Sequence, residues 1–81
     1  MKEAEFRALL AIEGLELEVE SGYFRKAPYS GPTYARHVAA KIIKRHPTNA
    51  HAVTVVTCTN WVTRRYYAVQ HLIKRYYRDR G

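Results

Sequence analysis

Six of the seven acidic residues in this 81-residue chain, Glu3, Glu5, Glu13, Glu16, Glu18 and Glu20, fall within its first twenty positions. From Ser21 to Arg78 there is no carboxylate, and Asp79 is the only other acid. Residues 1–20 set two Lys and Arg against six acids, and residues 21–81 set twelve against one, so the two stretches carry −4 and +11 within an overall +7. Like charges held close repel, and nothing inside the longer stretch offsets them. A fold must therefore lay the acidic segment alongside the basic one, or leave a basic surface that a polyanion can match.

The length suits one domain over 1–81, burying roughly 60% of the surface its unfolded chain exposes. Association into a homodimer would extend so small a core. Cys58 is the single cysteine, so no internal disulfide forms and a reducing compartment is expected. No apolar run approaches the ~20 residues of a membrane span. The opening MKEAEFRALLAIEG carries acids where a secretory leader would be basic and then apolar. These features lead to the expectation of a cytoplasmic protein with no membrane partner.

Phe6, Leu9 and Leu10 share one helical face, so residues 2–12 read as a short helix stopped by Gly14, with a strand as the alternative. LELEVE, residues 15–20, alternates strictly between apolar residues and glutamates, the pattern of a half-buried strand. Ser21-Gly22 signals a turn or bulge, after which Tyr23 and Phe24 start a hairpin partner or continue a bent strand. RKAPYSGPT, residues 25–33, reads as a loop, and Ser30 or Gly31 with Pro32 would begin a second helix running to about His46. After the PTNAH loop, AVTVVTC, residues 52–58, is a short β-branched strand. Cys58 is expected at its end as a small buried side chain. Thr59 or Asn60 would cap a final helix over 61–78. The expected fold class is α+β: a short sheet of two or three strands, two basic amphipathic helices and a short N-terminal helix.

At 100° per residue the final helix gathers Val62, Tyr66, Val69, Ile73 and Tyr76 into an apolar stripe, with Leu72 and Tyr77 at its margins. Arg64, His71, Lys74, Arg75 and Arg78 fall opposite, with Tyr67 among them. The RRYY and KRYY quartets are ten residues apart, which is not a whole number of turns. Tyr66 and Tyr76 are thus expected in the core, and Tyr67 on the basic side. In the expected middle helix Ala35, Val38, Ala39 and Ile42 form the stripe, His37, Lys41 and Lys44 face away, and Arg36 and Arg45 sit at the edges. Arg25 and Lys26, ahead of the expected Ser30-Gly31-Pro32-Thr33 helix start, are further candidates for a phosphate seat.

Catalytic chemistry has little to draw on. His37, His46, His51 and His71 lack zinc-ligand spacing, and there is no phosphate loop, dinucleotide fingerprint or nucleophile elbow. No cofactor or metal is expected, and no enzyme activity. The one enzymatic alternative is a metal-independent ribonuclease toxin with His71 near Tyr67, Lys74 and Arg75. The leading expectation is a basic module that contacts the phosphate backbone of DNA or RNA with little sequence specificity, through Arg64, Tyr67, His71, Lys74, Arg75, Arg78, Lys41, Lys44, Arg25 and Lys26. The competing one is a small inhibitor of phage or mobile-element type, anti-CRISPR-like in kind, which would use the same surface against a host protein or nucleoprotein complex.

Overall fold

Alternation in LELEVE needs a partner strand, and a later segment of the chain supplies it. The computed structural model describes residues 1–25, 34–49 and 51–80. Helix α1 spans Glu3–Ile12, followed by strands β1 (Glu16–Arg25), β2 (Tyr34–Arg45) and β3 (Val53–Cys58) and helix α2 (Arg65–Arg80). The strands form one antiparallel sheet in the order β1-β2-β3. Both helices contribute to the core on one face of it, making a small two-layer α+β domain. No helix among the described residues is long and apolar enough to cross a membrane.

Gly14 ends α1 as its position suggests. With φ at +73° it takes the left-handed conformation that L side chains resist. Its amide donates to Ala11 O (3.0 Å), and the next amide, Leu15, donates to Leu10 O (2.9 Å). Ala11 O is thereby satisfied and Leu10 O, which also accepts from the Glu13 amide, gains a second donor, and Leu15 folds back against the core. The chain then enters β1 and continues through Ser21-Gly22 without a register shift, so Tyr23 and Phe24 extend the same strand.

The middle helix expected to end near His46 is instead strand β2, the centre of the sheet. Val38, Ala40 and Ile42 point to the helices, paired with Ser21, Val19 and Leu17 of β1. The helix start expected at residues 30–33 lies outside the described residues, and the segment it would open is extended. Non-local pairing decides this outcome. The opposite face of β1 presents Glu16, Glu18 and Glu20, and β2 answers with Arg45 and with Lys41, whose Nζ bonds Glu20 and lies 3.5 Å from Glu18. Between Ile42 and Ile43 the β2–β3 register shifts, leaving Val56 as the extra residue of a bulge. Ile43 is buried outside the main cluster, away from the helices.

The core consists of Phe6 and Leu10 from α1, Leu17, Ala40 and Ile42 from the sheet, and Ala68, Val69, Leu72, Ile73 and Tyr76 from α2. Phe6 meets Tyr76 edge to face at 5.6 Å. The stripe of α2 is rotated from the expected one: Leu72 is fully buried at its centre, and Tyr66 is 67% exposed. Helix α2 also begins later than expected. Val62 forms an isolated antiparallel bridge with Val38, which keeps residues 61–64 out of the helix. Thr59 does not cap it: its amide and hydroxyl both bond Ala40. Cys58 ends β3 as expected but is exposed.

Candidate functional site

The acidic segment packs against the basic one and selects which cations it neutralises. Glu3 of α1 accepts two hydrogen bonds from the Arg65 guanidinium, at 3.0 and 3.1 Å, and one from Arg7 at 3.0 Å. These bonds, Arg65 foremost, hold the Glu3 carboxyl below the ordinary carboxylate range against the opposing effect of burial. Glu13 accepts from the Tyr76 hydroxyl and from Arg80 at 2.7 Å, and its pKa is lowered in turn. Arg80 also lies over the Tyr76 ring, 5.0 Å from its centroid. With the β1 glutamates on Lys41 and Arg45, five of the six N-terminal carboxylates are engaged by Arg7, Lys41, Arg45, Arg65 and Arg80.

Depressed carboxyl pKa values have a definite sign. The stabilisation from Glu3 and Glu13 is present above their unfolded value of 4.5 and is lost as pH falls through the lower folded values. Thermal melts between about pH 7 and pH 3 are expected to show that loss below about 4.5. The double variant Glu3→Gln, Glu13→Gln should show a shallower fall over the same range; equal slopes would mean these contacts carry no net stability.

What the acids leave uncovered lies mainly along the solvent side of α2. Tyr67, His71, Lys74, Arg75 and Arg78 fall within an arc of about 100°, and Arg64 immediately precedes the helix. Tyr67 is 48% exposed and packs edge to face with Tyr66 at 5.7 Å. Toward the C-terminal half, His71, Lys74, Arg75 and Arg78 line a groove of about 530 Å3 with Thr59 and Asn60. The Arg75 guanidinium donates to the Cys58 carbonyl oxygen, which ties the helix to the end of β3. Thr59 and Asn60 join the groove because the bridge at Val62 keeps the preceding segment extended; the sequence marked them only as caps. The one carboxylate along the stripe is Asp79, 3.5 Å from Arg78 in a pair exposed on both sides, a contact of little energetic weight.

The other sequence candidates are placed elsewhere. Lys41 lies on the opposite face of the sheet, held by Glu18 and Glu20, and its pKa is raised chiefly by Glu20. Lys44 is exposed near the end of β2, on the helix-bearing face by alternation from Ile42. Arg25 is the last residue of β1, and Lys26 lies outside the described residues. Comparison with protein-family models, curated proteins and solved structures gave no match.

Proposed function

We propose that the protein binds nucleic acid through the phosphate backbone, using Arg64 just ahead of α2 and the outer stripe of the helix: Tyr67, His71, Lys74, Arg75 and Arg78. The observation that carries this reading is selective neutralisation. Glutamates occupy Arg7, Lys41, Arg45, Arg65 and Arg80, while Arg64, Lys74 and Arg75, like the scattered Lys2, Arg36 and Lys44, have no carboxylate partner among the described residues. A helix kept basic only for solubility would mix signs along its outer face. Cations presented together in a groove suit an anionic polymer, and an exposed tyrosine among them can stack on a base or pack on a sugar.

Fluorescence anisotropy with labelled DNA and RNA oligonucleotides at about 50 and about 200 mM salt tests the proposal. The expected result is binding at micromolar concentration or tighter at the higher salt. The logarithm of affinity should fall against that of salt by about 0.7–0.9 per phosphate contact. Binding confined to the lower salt and alike for every polyanion would reduce the stripe to generic attraction, and the inhibitor reading would then be the one to pursue.

A further inference from the structure

A second basic site lies at the opposite end of α2 from the groove. By sheet register Arg36 sits directly across from Tyr23, on the face that carries the helices, and Tyr23 is 72% exposed. The Arg36 guanidinium donates to Ser21 Oγ at 3.1 Å. It has no carboxylate partner among the described residues. Arg36, Thr63 and Arg65 line a depression of about 310 Å3 to which no carboxylate contributes. Arg65 there is already bound by Glu3, so Arg36 is the cation left to act. Arg64 follows Thr63 of this depression in the chain, and Tyr67, in the first turn of α2, shares the helical arc of His71, Lys74, Arg75 and Arg78. Arg65, which lines the depression, and Arg78, which lines the groove, lie about 20 Å apart along α2 at 1.5 Å per residue.

Resting on the nucleic-acid reading above, we infer that the ligand is a polymer lying along the whole of α2. Its backbone meets Arg36 and Tyr23 at one end and Lys74, Arg75 and Arg78 at the other. A mononucleotide or a free phosphate reaches one end only. At about 3.4 Å per phosphate along each strand of a duplex, the two ends are roughly six nucleotides apart. Single strand and duplex share the chemistry these residues recognise, so the arms of the experiment separate them.

The test is anisotropy at about 200 mM salt with oligonucleotides of about 4, 8 and 16 nucleotides, each single-stranded and as a duplex where one forms. Wild-type affinity should rise tenfold or more from the shortest to the longest. Arg36→Ala should weaken the longest by about five- to tenfold, lower its salt slope by about one and leave the shortest unchanged. Tyr23→Ala should act in the same length-dependent way, and both variants, altered at exposed positions, should melt as the wild type does. Equal affinity at every length, or an Arg36→Ala loss that is absent or independent of length, overturns the second site while leaving binding at the groove intact. Failure of the wild type to bind any length overturns the nucleic-acid reading itself.

Discussion

Leu72→Ala is expected to lower stability by about 3 kcal/mol, the ordinary cost of emptying a buried leucine site. Leu72 is fully buried in the cluster that also holds Ala40, Ile42 and Phe6. For a domain of this size, whose total stability lies near the low end of roughly 5–15 kcal/mol, that is a large share. The melting temperature should fall by about 15 °C. Tyr66→Ala, by contrast, should cost less than about 1 kcal/mol, since the ring is 67% exposed and its main aromatic contact is Tyr67. Thermal melts of the two variants decide the rotation of α2. A larger loss for Tyr66→Ala would turn the helix, and with it the basic stripe, by about half its exposed arc.

The second large effect concerns binding. Changing Arg64, Lys74 and Arg75 together to alanine should weaken nucleic-acid affinity by on the order of a hundredfold at about 200 mM salt. The slope of log affinity against log salt should fall by two to three. The sum is large because none of the three has a carboxylate partner to release among the described residues, so their charge is open to phosphate. A control triple variant at Lys41, Arg45 and Arg80, which already face glutamates, removes the same formal charge. It should change binding by only a few fold. Equal losses from both sets would make net charge, and not the α2 stripe, the determinant.

Much of the architecture was legible locally, and its failures have local causes. Helix α1 and its stop at Gly14, the LELEVE strand, the β-branched strand at 53–58 and the final helix all carry a clear period or a glycine with a steric role. The middle segment misleads because Val38 and Ile42 are four apart, a spacing that fits both a helix turn and a strand face. The tie-breaker would have been Ala39 against Ala40, and the two are the same residue type. What settles the matter is remote: glutamates of β1 that find Lys41 and Arg45 only when the segment is extended. The phase of α2 differs from its sequence pattern because tyrosine is amphipathic: counted as apolar, Tyr66 draws the stripe away from Leu72 and Ala68. The division of labour between Arg64 and Arg65 was not legible, because adjacent identical residues differ only in which one meets Glu3.

The pairing of α1 with α2 has a consequence for the order of events during synthesis. Phe6 packs on Tyr76, Glu3 holds Arg65 and Glu13 holds Arg80, contacts that join the first and last elements across 62 to 70 positions. A nascent chain carrying α1 and the sheet, with α2 still inside the ribosome, lacks Tyr76 against Phe6 and the α2 side chains that complete the cluster around Leu17, Ala40 and Ile42. Closure must wait until α2 emerges. Until then the apolar sheet is open to whatever binds nascent chains, and contacts so distant in sequence make closure slower than local helix formation.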